Sequence, residues 1–506
     1  MQRAFRSGLA LQGRSFSIVQ KSQVIRRQHF KVQATAAATA TTSISTPPEI
    51  FDIGKNRHID MTSNRLYIQE VLEKITEKTN NLPPPIFTEK CCELYKQLDK
   101  NGKLEFFDVL SKEFDVDREN SIKQAREYIT ASSKSDATQI EKSLQYFLEP
   151  KYNIFLDRIH QLPNGLKFLA DMRADLLDLM GPRGSATYNE YISLEQDIRL
   201  KLKKYVIGFL KLERITWEKS SAALLEKICS YEAVHQVKDW KDIKRRLELD
   251  RRVYAFFENN IPNEPLAFVH VALLPTLANS VQAILEAPNP TKQDLNPSNF
   301  EYAICYSITT QQGLGGINLG NYLIKQAVDD LQKQFPMLKV FATLSPMPGY
   351  RQWLTSHVDS DSTIQAEFEH VSDWKNVSVS KEDDKLNRFN SEDQEELKDP
   401  LMRLCSRYIL SEKRIGNNAL DPVANFHLRN GACAHQIHWQ ADTSEKGIRD
   451  SFGIMINYNY ITDRLESNHR LYQKNGTISI SEPTSTSAEK ESWLSQWIVR
   501  KQQQQQ

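Results

Sequence analysis

Residues 301–350 constrain the fold of this chain more than any other stretch. EYAICYSITT (301–310) has the aromatic and β-branched composition of a strand. QQGLGGINLG (311–320) is a glycine-rich connection, and NYLIKQAVDDLQKQF (321–335) places Ile324, Val328, Leu331 and Phe335 on one helical face. Pro336 stops that helix. FATLSPMPGY (341–350) then reads as a short buried strand that delivers Ser345 into a turn stiffened by Pro346, Pro348 and Gly349. Strand, glycine loop, helix, strand is a βαβ unit, so the two strands should run parallel with a right-handed crossover. Ligands of open parallel sheets sit beyond the carboxyl ends of the strands, where both the glycine loop and Ser345 fall. The expectation is a phosphate-bearing ligand that meets a catalytic hydroxyl.

Gly313, Gly315, Gly316 and Gly320 let backbone approach a ligand closely, and the helix behind them offers N–H groups and its positive dipole end to an anion. The spacing is not the dinucleotide G-x-G-x-x-G, because Asn318 takes the last glycine place; no Lys-Ser or Lys-Thr follows, so it is not a Walker loop. It is loosely similar to the pyrophosphate loop of acetyltransferase-like folds. Taken by itself, the loop is equally well an ordinary strand-to-helix turn.

The remainder of the chain sorts into regions. Residues 1–48 carry Arg3, Arg6, Arg14, Lys21, Arg26, Arg27 and Lys31 without one acidic residue and are rich in Ser, Ala, Gln and Thr, the profile of a mitochondrial transit peptide or of a disordered basic tail. Residues 55–211 have helical periodicity. Leu169, Met172, Leu176 and Leu179 form one stripe; Leu194, Ile198, Leu202, Tyr205 and Phe209 form a second, with Gly181-Pro182-Arg183-Gly184 between them. Such stripes predict a helix bundle with a face left over for another subunit. From 212 to 498 strands and helices alternate, with LAFVHVALL (266–274) a buried strand. Lys244, Arg245, Arg246, Arg251 and Arg252 make a basic cluster, read as a solvated helix face with coenzyme phosphates as the alternative. Residues 356–398 read as a mobile polar excursion, and 499–506 as a Gln-rich tail. The tail carries no Ser-Lys-Leu, so peroxisomal delivery by that signal is not expected.

Composition bounds the function. A formal net charge of +1 gives no pull toward nucleic acid, and no run of about 18 apolar residues is present to cross a membrane. Six Cys in 506 residues make no disulfide scaffold, although Cys91, Cys92 and Cys229 leave an interchain bridge open. Cys433, His435 and His438 suggest a metal, but strand alternation puts His438 on the opposite face from the other two, so no metal is expected.

Several long motifs occur together in register: LERITW (212–217), EAVHQVKDWKDIKRR (232–246), EPLAFVHVAL (264–273), TQQGLGGINLGNYLIK (310–325), LSPMPGY (344–350), PLMRLC (400–405), DPVANFHLRNGA (421–432) and INYNYI (456–461). By these the chain resembles the malonyl-CoA decarboxylase family. The resemblance implies a helical N-terminal domain followed by an acetyltransferase-like (GNAT-type) α/β catalytic domain, an α+β/α/β two-domain chain. It implies conversion of malonyl-CoA to acetyl-CoA and CO2 without a cofactor, in a homo-oligomer, a tetramer; from the profile of residues 1–48 the expected location is the mitochondrial matrix. The family's catalytic serine and histidine fall on Ser345 and His427, and an active-site tyrosine on Tyr460. The coenzyme would lie on Gly315, Gly316, Ile317, Asn318, Leu319, Gly320 and Asn321, with Ser307 as a further substrate contact. Asp421 stands where the family has Asn, and Asn318 where some relatives have Glu.

The chemistry is consistent with a cofactor-free site. A malonyl thioester already holds its carboxylate β to a carbonyl, so the thioester is the electron sink for the enolate left by CO2. The protein must stabilise that enolate and protonate carbon. His427 is expected to donate the proton as an imidazole near neutrality. A serine hydroxyl is a poor base without a partner, so Ser345 is read as half of a Ser–His relay that also orients the carboxylate. An acyl-CoA-dependent acyltransferase shares the coenzyme loop, and a non-enzymatic acyl-CoA-binding regulator remains a third reading.

Overall fold

The computed structural model describes residues 61–76, 85–131, 133–291, 293–371, 391–481 and 492–504. The basic segment 1–48 lies outside these.

The helical periodicity ahead of residue 211 forms eight helices among the described residues: α1 (Met61–Thr76), α2 (Pro85–Gln97), α3 (Lys100–Glu113), α4 (Arg118–Thr130), α5 (Lys134–Leu148), α6 (Tyr152–His160), α7 (Gly165–Met180) and α8 (Ala186–Ile207). Leu169, Met172 and Leu176 of α7 and Leu194, Ile198 and Leu202 of α8 are buried. Gly181 ends α7 at φ 67°, a left-handed conformation that costs glycine nothing. The Ser185 hydroxyl then accepts from the Tyr188 N–H and starts α8. Phe209, expected in the second stripe, lies past the helix end and is exposed. Ile122, Ile129, Tyr146 and Leu148 are exposed on the α4–α5 hairpin.

The second layer is an eight-stranded sheet of β1 (Leu210–Ile215), β2 (Arg251–Glu258), β3 (Ala267–Leu274), β4 (Tyr302–Thr310), β5 (Val340–Thr343), β6 (Ser345–Pro346), β7 (Cys433–His438) and β8 (Met455–Asn459). The order is β1-β2-β3-β4-β5-β8-β6, with β7 on β8. Strand β2 is buried along its whole length, so both of its faces are covered. Tyr254 and Phe256 join the main core, whereas Val253, Ala255 and Phe257 pack under α9 (Ala222–Tyr231) and α10 (Trp240–Arg246). The main core runs without interruption from Ile68 in the helices to Leu494.

The predicted βαβ unit is present. Among the named strands of the described residues only β4 and β5 pair in parallel, from Tyr302↔Val340 to Cys305↔Thr343, and the helix between them spans Leu319–Gln334. Past Cys305 and Thr343 the two strands part. One more hydrogen bond, Leu344 N–H to the Cys305 carbonyl (3.0 Å), closes the pair. Beyond it β4 continues along β3 while Ser345 and Pro346 pair with β8. Ser345 therefore lies in an extended two-residue strand, and the turn expected around it comes after it, at Met347–Gly349. On the β3 side, His270 faces Ser307 and Val271 faces Cys305, so Tyr306 is the extra residue of a β-bulge.

Three further expectations are corrected. Apart from Lys244, which is exposed, the basic cluster is not a solvated face: Arg245 binds both carboxylate oxygens of Asp250 (2.8 Å each), Arg246 binds Asp242 and the His235 carbonyl, and Arg251 is buried against Asp250. Buried guanidinium groups hold together only when paired in this way. The span 356–398 holds the end of the helix Tyr350–His357, the helix Ser362–Ala366 and the start of the helix Ser391–Leu410, with 372–390 outside the described residues. Residues 499–504 of the Gln-rich tail lie within the helix Trp493–Gln504, and 505–506 are outside the described residues.

Candidate active site

The gap between the parting strands is a cavity of about 310 Å3. Cys305, Tyr306, Ser307, Ile308 and Thr310 form one wall, and Leu344, Ser345 and Pro346 the other. The helix Pro422–Arg429 closes it with Pro422, Val423, Phe426 and His427. Proline suits the first turn of that helix, where its missing N–H is not needed. The Asp421 carboxylate accepts from the Val423 and Ala424 N–H groups (2.9 and 2.8 Å). An Asn oxygen can accept the same two bonds, which accounts for Asp standing in the family's Asn place.

Three of the predicted residues meet here. Ser345 Oγ lies 3.1 Å from His427 Nε2, and His427 Nδ1 lies 2.8 Å from the Tyr460 hydroxyl. The sequence separations of 82 and 33 residues are bridged because β8 pairs with β6 and leads directly into Tyr460. Ser345 Oγ also bonds Thr343 Oγ1 (2.8 Å), which in turn accepts the Tyr458 N–H (3.2 Å). The imidazole stacks on the Tyr458 ring, with centroids 4.6 Å apart. Every member of this chain is buried.

Burial has a consequence for the histidine. With no carboxylate beside it, desolvation pushes His427 down to about 3. The ring is therefore neutral at physiological pH, which corrects the expectation of an imidazole titrating near neutrality. Burial likewise raises Tyr460 well above the usual phenol range, so in the resting site it is a neutral hydroxyl that can donate to His427.

Ser307 lines the opposite wall, and its hydroxyl donates to Glu232 (2.7 Å). Glu232 also accepts the Val234 and His235 N–H groups (2.9 and 3.0 Å) and lies 3.2 Å from the His270 imidazole. Burial alone would raise this carboxyl; His270, Ser307 and the His235 N–H outweigh it and hold it at about 2. Sequence reasoning missed Glu232, His270 and Thr343. The first two were visible only as letters of the EAVHQV and FVHVAL motifs, whose partners are set by strand register.

The glycine loop borders the same wall. Asn318 is in the left-handed region at φ 68°, which Asn tolerates better than the Glu of some relatives would. Its side chain makes no capping bond, so the first-turn N–H groups face whatever lies ahead of the helix. Ile317 and Leu319 turn their side chains into the core, and only their backbone is available to a ligand. Gly315 has open space where a Cβ would stand, and Gly316 has φ 79°. Gly320 is different: its missing Cβ would meet the Phe426 ring at 2.8 Å, so its smallness serves packing against the cavity wall. Asn321 Oδ1 is buried without a hydrogen-bond partner.

The Cys433, His435 and His438 cluster is dispersed. Cys433 accepts from Asn468, His435 bonds Ser481, and His438 bonds Asn457. Among the described residues no group of three side chains could hold a metal ion. Cys91 and Cys92 are buried and Cys229 is half-buried, all as free thiols.

The model of the malonyl-CoA decarboxylase C-terminal domain family matches residues 208–497, and that of the N-terminal domain family matches residues 114–204. The chain is similar to the mitochondrial malonyl-CoA decarboxylase of Anser anser anser, 35% identical over 431 residues, covering 80% of this chain and 84% of that one. It is 38% identical over 364 residues to the mitochondrial malonyl-CoA decarboxylase of Mus musculus, covering 68% and 72%. Among solved structures, malonyl-CoA decarboxylase from Rhodopseudomonas palustris superposes with a TM-score of 0.71 at 29% identity, covering 82% of this chain and 98% of that one. The Agrobacterium vitis malonyl-CoA decarboxylase gives 0.70 at 30%, covering 82% and 97%.

Proposed function

The chain belongs to the malonyl-CoA decarboxylase family, and from that premise we propose how its cavity releases CO2 from malonyl-CoA to leave acetyl-CoA. The observation that carries the reading is the hydrogen-bonded line Ser345–His427–Tyr460 opening on a cavity beside a glycine loop. The loop backbone, Gly315 to Asn321, takes the coenzyme diphosphate, and the malonyl thioester reaches the cavity between the strands. Ile308, Leu344, Val423 and Phe426 give the carboxylate mostly apolar surroundings. Moving its charge onto the enolate as neutral CO2 leaves is easier there than in water.

In the reaction the bond from the α-carbon to the carboxylate breaks, and its electron pair moves to the thioester as an enolate. The α-carbon takes the proton of Ser345 Oγ. Ser345 takes one from His427 Nε2, and His427 takes one at Nδ1 from Tyr460. The imidazole receives at one nitrogen as it gives at the other, so it needs no positive charge, in keeping with its depressed pKa. The negative charge that entered as the carboxylate ends on the relay until a solvent proton neutralises it. One proton is consumed per turnover. Positioned proton transfer of this kind contributes about 100- to 10,000-fold.

The test is direct. Purified protein is mixed with malonyl-CoA and EDTA and no acyl acceptor, and CO2 and acetyl-CoA are followed. Stoichiometric release is expected; an absolute requirement for an acceptor would identify an acyltransferase, and binding without turnover a regulator. The mitochondrial relatives support delivery to mitochondria, with residues 1–48 as the import signal and the matrix as destination. We assign residues 55–211 to the helical part of a homo-oligomer and 212–498 to the catalytic part. The exposed Ile122, Ile129 and Leu148 support a subunit contact on the former.

A further inference from the structure

The glycine loop is not held by the sheet layer alone. Arg173, on α7 of the helix bundle, is buried. Its Nη1 donates to the Gly313 carbonyl (2.5 Å) and to the Gly315 carbonyl (2.8 Å). Its Nε and Nη2 donate to one oxygen of Glu195 on α8 (3.0 and 2.5 Å). Gly313 is pressed against the same helix: at φ 81°, a Cβ there would stand 1.8 Å from the Ala170 carbonyl oxygen. One guanidinium therefore ties two helices of the bundle to two carbonyls of the loop.

The chemistry of this tie bears on an anion. A loop that binds phosphate must present N–H groups and keep its carbonyl oxygens away from the negative charge. Arg173 occupies the carbonyls of Gly313 and Gly315, on either side of Leu314. A planar guanidinium can serve both carbonyls and Glu195 at once; an ammonium cannot span them in that fixed geometry. Glu195 neutralises the buried cation, so the tie persists with no ligand present.

We propose that Arg173 is a positioning residue for the coenzyme site, so that the helix bundle sets the conformation of the loop that receives the diphosphate. The proposal rests on the reading of Gly315–Asn321 as that loop. Arg173 itself touches no substrate; it acts through the orientation of the loop peptides. It predicts an effect on the part of the substrate the loop holds and not on the bond that breaks.

The experiment compares malonyl-CoA with malonyl-pantetheine, which carries the same reacting group without the diphosphate. The preference, the ratio of kcat/KM for the two, is measured for the full chain, for Arg173→Lys and for the double variant Arg173→Gln with Glu195→Gln. The double variant removes the buried cation together with its partner, leaves only the partly exposed Arg199 without Glu195, and guards against simple misfolding of the single one. The expected result is a fall in preference of about tenfold or more, as for loss of a charge-assisted hydrogen bond, seen mainly in KM for malonyl-CoA. A variant that folds and keeps the wild-type preference, even if slower with both substrates, overturns the proposal and leaves Arg173 a packing residue. A wild-type chain that does not distinguish the two substrates would instead overturn the loop reading beneath it.

Discussion

Acidification separates this site from one built on an ordinary histidine. A free imidazole has a pKa of about 6.5, so at pH 5.5 about nine-tenths of it is protonated. Burial brings His427 to about 3, where under about 1% carries the extra proton at the same pH. The relay should therefore stay intact across the range in which a solvent-exposed histidine would fail. The ring of His427, labelled with 15N and identified by its loss in His427→Ala, should show no titration between pH 5 and pH 8. The protein should pay for this in acid stability. Because the folded pKa lies below the unfolded one, the unfolded chain takes up the proton first. Stability present above pH 6.5 is lost as pH falls from about 6.5 toward 3. At about 1.4 kcal/mol per pH unit the loss approaches something on the order of 4–5 kcal/mol, and denaturant melts of His427→Ala should lack that slope. A ring that titrates between pH 6 and 7 in the folded protein would refute the argument that desolvation governs this site.

Tyr460→Phe leaves His427 Nδ1 buried without its 2.8 Å partner, and turnover should fall about 10- to 100-fold with coenzyme A affinity unchanged in a binding titration. The two glycines of the loop should separate. Gly320→Val drives a side chain into Phe426, beside His427, and should lower kcat; Gly316→Val, at φ 79°, strains the loop by about 1–2 kcal/mol and should weaken coenzyme A binding. Equal effects from both on affinity would contradict the placement of Gly320 in the wall. Removing residues 1–48 should leave turnover intact and leave the protein in the cytosol, and import of the truncated chain into mitochondria would contradict the reading of that segment.

The parts of this fold legible in the sequence are those written in local period and in turn chemistry. The stripe Leu169, Met172, Leu176 gives a helix because its spacing is local, and Pro336 marks a stop that no tertiary contact alters. The parallel pairing of β4 with β5 follows from a rule of connection. What stayed hidden depends on register and reach. Nothing near Arg173 in the chain points to a loop 140 residues away. Glu232, Ser307 and His270 converge through the bulge at Tyr306, which strand alternation alone would not place. Arg245, Arg246 and Arg251 look solvated in sequence because their partners, Asp250 and Asp242, are indistinguishable there from surface acids. His427 shows the same limit in its charge: the motif located it beside Ser345, but only its burial among Tyr458, Phe426 and Tyr460 sets its protonation.

The claim that Ser345 and His427 work as one proton-delivering unit is tested most directly by a double-mutant cycle on malonyl-CoA turnover. Ser345→Ala and His427→Ala should each lower kcat by about 100-fold or more, and the double variant should be little worse than either, since members of one relay are not additive. Losses that multiply in the double variant would mean that the two residues, 3.1 Å apart, act independently, and the relay would have to be abandoned.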